Sequence, residues 1–116
     1  MAIPSGSGTE VLKRAYLDNA STTEQSIFDG VANHIYTIIS IVILERNNAS
    51  GNTFDLAVDY NASGNRQLIL IAQPVAKQET FVFNDKIVLT GTDKLRFLCS
   101  GGNFDVWCSY IDQDWT

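Results

Sequence analysis

The chain has 116 residues and a mass of 12.8 kDa, and 45% of its residues are hydrophobic. That length suits one domain with a core of its own, and a charged fraction of only 18% excludes an ordinary disordered segment. Eight basic residues stand against thirteen acidic ones, which gives a net charge of -5. Because neutralising phosphates requires a basic face, nucleic acid is not an expected partner.

The N-terminal residues predict an extended arm. Residues 1–10 are small and polar, and they lack the basic region and apolar run of a secretory signal. Residues 11–17 fit either a short helix or a first strand. We therefore divide the chain into an N-terminal arm, 1–17, and a single domain, 18–116. The longest apolar stretch, residues 35–44, is too short to cross a bilayer as a helix, so no membrane association is expected.

The strongest strand signal lies at residues 34–46, after a turn cluster at residues 18–23. β-branched and aromatic residues dominate it, which favours a strand over a helix. Strict alternation assigns its side chains to two faces, with Ile35, Thr37, Ile39, Ile41 and Ile43 on one and His34, Tyr36, Ile38, Ser40, Val42 and Leu44 on the other. Both faces are largely apolar in the middle. This predicts a long strand covered on one side by a second sheet, and it suggests a partner chain on the other.

Shorter strands fill the rest of the chain. Residues 53–60 alternate cleanly, and the side chains expected to share the core face are Phe54, Leu56, Val58 and Tyr60. Further strands are predicted, in chain order, at residues 66–72, 79–83, 86–89, 94–100 and 103–111. Pro74 is expected to end the first of these. About seven or eight short strands separated by turns predict an all-β fold, an antiparallel β-sandwich or a barrel.

The last two predicted strands should form a hairpin around Gly101-Gly102. In that register, Cys99 and Cys108 face the core without lying opposite each other, so we expect two free, buried thiols. Trp107 alternates with core-facing neighbours and should face outwards, either as an interface residue or as a residue covered by a loop. Trp115 raises the same question, with a docked C-terminal tail as the interface alternative.

Candidate catalytic and metal-binding residues are scarce. A nucleophile–base site would have to use His34, the single histidine, which is more simply an ordinary residue at a strand edge. Asp55 and Asp59 share one face of a strand, but four residues of strand rise place them about 13 Å apart. That distance is too long for sharing a cation or for acid–base work. We therefore expect no metal, no cofactor and no enzymatic activity.

The order of strands and turns is similar to that of a known class of proteins. The segments that carry the similarity are Ile35–Ile38, Ser40–Leu44, the polar turn Asn47–Asn52, Phe54–Tyr60, Lys86–Leu89, Asp93–Phe97 and Phe104–Tyr110. Together they resemble the small β-sandwich virion proteins of tailed bacteriophages, namely head-decoration (cement) proteins and the related neck and fibre-base proteins. The segment Pro4–Leu12 is also similar to the opening of phage structural proteins, including those of marine cyanophages.

The resemblance implies a jelly-roll-like sandwich, often a homotrimer, that binds the major capsid protein on the outer face of the capsid and has no enzymatic role. Such a protein would be made in the host cytoplasm and located in the virion. The candidate capsid-binding residues of the arm are Ile3, Pro4, Val11, Leu12 and Tyr16. The candidate interface residues outside the arm are Trp107 and Trp115.

Two other functions stay open. A neck, tail or fibre-base component could share the fold, and the copy number in the virion would separate it from a decoration protein. A carbohydrate-binding module is suggested by Trp107 beside Asp105, since sandwiches with exposed aromatic residues bind sugars. A small hydrolase is disfavoured because the sequence has only one histidine.

Overall fold

The fold is almost entirely β-structure, as predicted. A computed structural model of the chain describes residues 9–20, 22–46, 52–101 and 103–115. Within these ranges the strands are β1 (Thr9–Ala20), β2 (Gln25–Asp29), β3 (His34–Glu45), β4 (Asn52–Asp59), β5 (Arg66–Val75), β6 (Thr80–Phe83), β7 (Ile87–Thr90), β8 (Lys94–Cys99) and β9 (Phe104–Asp114). A 3₁₀ turn, Tyr60–Ala62, lies between β4 and β5. None of the described residues form a helix with the length and apolar character of a membrane span.

The strands form two antiparallel sheets with a jelly-roll topology. Sheet I has the order β1-β9-β3-β6, with β7 also paired to β3, and sheet II has the order β2-β8-β4-β5. The pairs β1–β9, β2–β8, β3–β6/β7 and β4–β5 are nested around the turn between β4 and β5. The chain is thus one long hairpin rolled up on itself, with β6 and β7 as two halves of one strand. The predicted jelly-roll-like sandwich is confirmed.

The two sheets enclose a core rich in aromatic rings. Phe54 and Phe97 of sheet II stack with ring centroids 5.5 Å apart, and Phe104 of sheet I approaches them at 6.1 and 5.8 Å. All three rings are at most 1% exposed. Burying a side chain of this size contributes about 1.5–3 kcal/mol to folding. Cys99 and Cys108 are both buried and neither forms a disulfide, which confirms the predicted thiols.

A β-bulge in β3 changes which of its side chains reach the core. Ile38 lies opposite Tyr110 and Ser40 lies opposite Ser109, so Ile39 is an extra residue in the register with β9. The buried side chains of β3 are Tyr36, Ile38, Ile41, Ile43 and Glu45. The predicted strict alternation was therefore wrong beyond the bulge. The extra residue reverses the alternation of side chains between the two faces of β3. The second half of the strand therefore turns its other face to the core.

The predicted hairpin of the last two strands was also wrong. β8 pairs with β2 and β4 in sheet II, whereas β9 lies between β1 and β3 in sheet I. The connection after Cys99 therefore crosses from one sheet to the other. The inward faces of both strands meet in the same core, so their alternation fits either arrangement. Gly102 lies outside the described residues.

Residues 11–17, for which helix and strand were both open, form a strand. From Thr9 to Leu17, β1 pairs with β9 in unbroken register, and Asp18–Ala20, predicted as part of a turn, extend the same strand. The described part of the predicted arm is therefore an edge strand of sheet I rather than a free segment. Residues 1–8 lie outside the described residues, and the division of the chain at residue 17 stays a prediction.

Sheet II departs from the sequence prediction at three points. Phe54 and Val58 face the core as predicted, whereas Tyr60 is exposed in the 3₁₀ turn. β5 continues past Pro74 instead of ending before it. Because β5 is an edge strand, one of its two sides needs no hydrogen bonds from the backbone, and proline is tolerated there. β2 was not predicted.

Candidate interaction surface

The outer face of sheet I, turned away from the core, carries rows of side chains that run across its strands. The aromatic row consists of the directly paired residues Tyr16, Trp107, Val42 and Val82. The Leu12 row consists of Leu12, Ile111, Thr37 and Val88. A polar row of Arg14, Ser109 and Ser40 lies between them. The face therefore alternates between apolar and polar rows along the strands.

Both apolar rows are largely open to solvent. The exposed fractions are 72% for Leu12, 61% for Val88, 55% for Tyr16, 52% for Val82 and 46% for Trp107. Single exposed apolar residues are common on protein surfaces, but these five share one face of one sheet. Clustered exposure of this kind is typical of a surface that contacts another macromolecule.

Trp107 belongs to a compact cluster of three side chains on this face. Its ring centroid is 5.7 Å from that of Tyr16, and the two planes differ by 16°. The Arg14 guanidinium carbon lies 5.0 Å from the Trp107 ring and 5.7 Å from the Tyr16 ring, close enough for a cation–π attraction. Trp107 faces outwards, as its alternation predicted. The two rings are nearly parallel and form a preformed aromatic pair, called the platform below.

Charged groups border the platform at the end of the aromatic row. Arg46 Nη1 lies 3.4 Å from Asp18 Oδ1 and 3.4 Å from Asp105 Oδ1. All three side chains are exposed, so these ion pairs contribute little to folding stability. Between them and the rings lies a shallow depression of about 380 Å³, whose apolar lining includes Val42 and Leu44.

The remaining predicted site residues lie elsewhere. Val11 is exposed on the other face of β1, away from the two apolar rows. Trp115 follows β9 and donates its backbone N–H to the Asn33 carbonyl at 3.1 Å, which holds the tail against the turn before β3. The Trp115 indole Nε1 is buried and makes no hydrogen bond within the described chain. Ile3 and Pro4 lie outside the described residues.

A polar network joins β1, β3 and β9 at the opposite end of sheet I. His34 Nδ1 lies 2.7 Å from Asp112 Oδ1, and His34 Nε2 lies 3.4 Å from Asp114 Oδ1. Lys13 Nζ donates to Asp112 Oδ2 at 2.8 Å. Burial raises the pKa of Asp112, but the hydrogen bonds from Lys13 and His34 outweigh it and leave that pKa below its ordinary value. This geometry fits the interpretation of His34 as a structural residue at a strand edge.

Sheet II carries a cluster of paired charged side chains on its outer face. Glu24 accepts hydrogen bonds from Arg66 Nη1 at 2.6 Å and from Arg96 Nε at 3.1 Å. Arg96 also donates to Ser26 Oγ at 2.8 Å. Charged side chains that already have hydrogen-bond partners of this kind are stable in contact with water. The difference between the two outer faces identifies the face of sheet I as the candidate contact surface.

The two aspartates of β4 accept hydrogen bonds from backbone N–H groups of β5 and of the turn that precedes it. Asp55 accepts a hydrogen bond from the Ala72 N–H at 2.7 Å, and Asp59 accepts one from the Gly64 N–H at 2.8 Å. Within the described ranges, no group of three or more His, Cys, Asp or Glu side chains is arranged to hold a metal ion.

Sequence reasoning missed several residues of the contact surface. Val42 was assigned to the same face as Tyr36, which is buried, and the bulge in β3 reverses that assignment. Val82 joins the aromatic row only through the pairing of β6 with β3. Arg14 meets Trp107 because β1 pairs with β9, a contact between opposite ends of the chain. Local sequence patterns carry no signal for such pairings.

No protein-family model matches the sequence, and comparison with curated proteins gave no match. Solved structures share its fold. A chain of the T13 particle of infectious bursal disease virus aligns with 91% of this chain and with 31% of its own length, at a TM-score of 0.58 and 10% identity. A chain in the capsid of the Helicobacter pylori bacteriophage KHP30 aligns with 98% of this chain and 92% of its own length, at a TM-score of 0.54 and 6% identity.

The same fold occurs outside viruses. A chain of the Bacillus endospore appendages, described as disulfide-linked pili, aligns with 100% of this chain and 97% of its own length, at a TM-score of 0.52 and 15% identity. This chain thus spans about a third of the bursal disease virus chain, but nearly all of the phage capsid and appendage chains. At such low identities the similarities show the jelly-roll fold and do not define a function.

Proposed function

We propose that this protein is a structural component of a phage virion and that it decorates the outer face of the capsid as a cement protein. The observation that carries the proposal is the apolar outer face of sheet I, exposed on a fold that a viral particle and a phage capsid also use. Apolar surface is unfavourable in water and is stabilised by burial against a partner. The proposed partner is the major capsid protein.

Decoration would stabilise the shell by mass action. A protein that binds neighbouring subunits of the assembled capsid, and not the separate subunits, shifts the equilibrium towards the assembled state. The symmetry of a capsid repeats the binding site many times, so a modest contact is multiplied. If the protein is a homotrimer, as the resemblance implies, linked contacts would also increase its avidity.

The proposed contact residues fall into two groups. Leu12, Tyr16 and Trp107 would supply apolar contacts from the outer face of sheet I, and a central Trp or Tyr of an interface commonly accounts for about 2 kcal/mol or more of the binding energy. The predicted N-terminal arm, with Ile3 and Pro4, would follow a neighbouring subunit and could add a strand to the edge of its sheet.

Sedimentation with undecorated heads tests the proposal. Purified protein is mixed with heads that lack it, the heads are sedimented, and bound copies per head are counted. We expect hundreds of copies, in a multiple set by the shell symmetry. A dozen or fewer would instead favour a vertex, neck, tail or fibre-base position, and no binding to heads or to virion parts would overturn the virion role. Deleting residues 1–10 is expected to leave the fold intact and abolish binding.

A matched pair of variants tests the contact surface. The double variant Tyr16→Ala/Trp107→Ala removes the platform, whereas Ile71→Ala truncates a side chain of similar exposure on β5 of sheet II. A loss of about 2 kcal/mol corresponds to a roughly 30-fold weaker Kd for the platform variant. Ile71→Ala should bind like the unmodified protein. Equal binding by both variants would exclude the platform as part of the contact.

Carbohydrate binding is the second candidate function, and the nearly parallel rings of Tyr16 and Trp107 beside Asp18 and Asp105 favour it. A sugar ring could lie on such a platform while carboxylates accept hydrogen bonds from its hydroxyls. A glycan array with Trp107→Ala as the control tests this. Binding to a glycan that is lost in the variant, together with no binding to heads, would replace the capsid proposal.

A further inference from the structure

β1 is the least protected sheet edge of the described chain. Proteins protect edge strands from pairing with other chains by making them short, by bulges and by proline. β5 contains Pro74, a positive φ at Ala72 and two register shifts against β4. β2 has five residues and a register shift, and β6 and β7 have four residues each. β1, by contrast, runs in unbroken register from Thr9 to Leu17.

The charged side chains of β1 are engaged within their own sheet. Lys13 donates to Asp112 at 2.8 Å, and the Arg14 guanidinium lies over the ring of Trp107. Glu10 Oε1 accepts a hydrogen bond from Gln113 at 2.6 Å. These contacts lie on the faces of sheet I and do not involve the backbone groups on the open side of β1. On that side, β1 has no paired strand among the described residues.

We propose that β1 pairs antiparallel with β1 of a second copy of this chain, about a two-fold axis that passes through Leu12. In this register Leu12 lies opposite Leu12 of the partner subunit. Glu10 lies opposite the partner's Arg14, and the symmetry repeats that pair on the other side of the axis. Opposite charges placed directly across antiparallel strands stabilise the pairing.

Charge and strand regularity disfavour axes through three other residues of β1. An axis through Lys13 would place Lys13 opposite itself. An axis through Arg14 would place Arg14 opposite itself and Glu10 opposite Asp18. Like charges directly across a strand pair are destabilising. An axis through Tyr16 would require pairing across the irregularity that follows Leu17. The axis through Leu12 uses only residues 9–15, which lie in the regular part of the strand.

The pairing would join sheet I of two copies into one sheet. A two-fold axis perpendicular to the sheet keeps both outer faces on the same side, so the two Leu12 rows meet end to end. The most exposed large apolar side chain described, Leu12 at 72%, would then be covered by its counterpart. The dimer would use Leu12, which the proposed capsid contact also uses, but its test needs only the isolated protein and does not depend on capsid binding. It is two-fold, so a mass measurement distinguishes it from the trimer that the resemblance implies.

Charge-reversal variants test the register, and the oligomeric state of the isolated protein is the quantity measured. Sedimentation equilibrium over micromolar concentrations should show a dimer for the unmodified chain. Glu10→Arg places two positive charges opposite each other and should weaken the dimer at least tenfold. The double variant Glu10→Arg/Arg14→Glu restores opposite charges in this register and should restore the dimer. A monomer or a trimer of the unmodified chain, or a dimer indifferent to both variants, would overturn the inference.

Cross-linking provides a second readout that does not depend on charge. Leu12→Cys places two thiols across the two-fold axis, so mild oxidation should yield a covalent dimer. Ile71→Cys, at a position 69% exposed on β5, is the matched control and should remain monomeric in a denaturing gel. The native thiols Cys99 and Cys108 are buried and should not contribute. Equal cross-linking at both positions would show random collision and contradict the pairing.

Discussion

Replacing Asp112 by asparagine should destabilise the fold, because its charge links three strands of sheet I. The carboxylate is 7% exposed and holds Lys13 Nζ at 2.8 Å and His34 Nδ1 at 2.7 Å. The Lys13 side chain is 46% exposed, so that ion pair contributes only about 0–1 kcal/mol. The His34 side chain is only 15% exposed. A hydrogen bond to a charged acceptor in such a site contributes about 1.5–3 kcal/mol, so we expect a total loss of about 2–3 kcal/mol.

Thermal unfolding followed by circular dichroism measures this loss. For a domain of this size, about 2–3 kcal/mol lowers the Tm by about 8–12 °C at neutral pH. The folded pKa of Asp112 is lowered, so its contribution is present above the unfolded pKa of about 3.9. That contribution is lost as the pH falls through the lowered folded value. The difference in Tm between Asp112→Asn and the unmodified protein should therefore shrink as the pH falls below about 4.

The alkaline side supplies a second signature of the same network. The hydrogen bond to Asp112 raises the pKa of Lys13. Its contribution is therefore present below the unfolded pKa of about 10.4 and is lost as the pH rises through the raised folded value. Asp112→Asn should remove this dependence. Asp114→Asn is the control, because that side chain is 43% exposed and lies 3.4 Å from His34. Equal losses of Tm in the two variants would refute the reasoning.

The core and the outer face give three further predictions. Phe97→Ala should lower the free energy of unfolding, measured in urea, by about 3–5 kcal/mol, because the ring is 1% exposed and its removal leaves a cavity. A loss below about 1 kcal/mol would contradict its place in the core. Burial raises the pKa of Cys108 to about 12, so iodoacetamide at pH 8 should label this thiol only in unfolded protein. Rapid labelling of folded protein would mean that the core opens readily. Trp107→Ala should cost about 1 kcal/mol or less in the same urea assay, since the side chain is half exposed; a larger loss would make Trp107 a structural residue rather than a contact residue.

Local alternation predicted most strands and the orientation of Trp107, because that information lies within a few neighbouring residues. It could not predict which strands pair. The inward faces of β8 and β9 look the same whether the strands form a hairpin or face each other across the core. A turn rich in glycine favoured the hairpin, but the nested pairing of the whole chain places them in different sheets. Pairing between distant strands is a property of the complete fold.

The candidate surface was predictable only in part for the same reason. Leu12 and Tyr16 were identified as contact residues through the resemblance, and their exposure on one face of β1 agrees with that role without testing it. The alignment of Tyr16 with Trp107 and Val82 depends on three strand pairings that bring together the two ends and the middle of the chain. A surface row of this kind depends on the register of the paired strands. A one-residue shift of that register would destroy the row.

The bulge at Ile39 determines which side chains of β3 reach the outer face. Because Ile39 is the extra residue against β9, deleting it restores strict alternation while Ile41 stays in the core and Val42 stays outside. The break between β6 and β7 lies beside the bulge and can absorb the shift. We therefore expect the Ile39 deletion to change the Tm by less than about 4 °C, whereas deleting Val42 turns Ile43 outwards and should abolish cooperative melting. Equal damage from the two deletions would show that the extra residue does not set the phase of β3. In that case the aromatic row would have to be explained by contacts outside the strand.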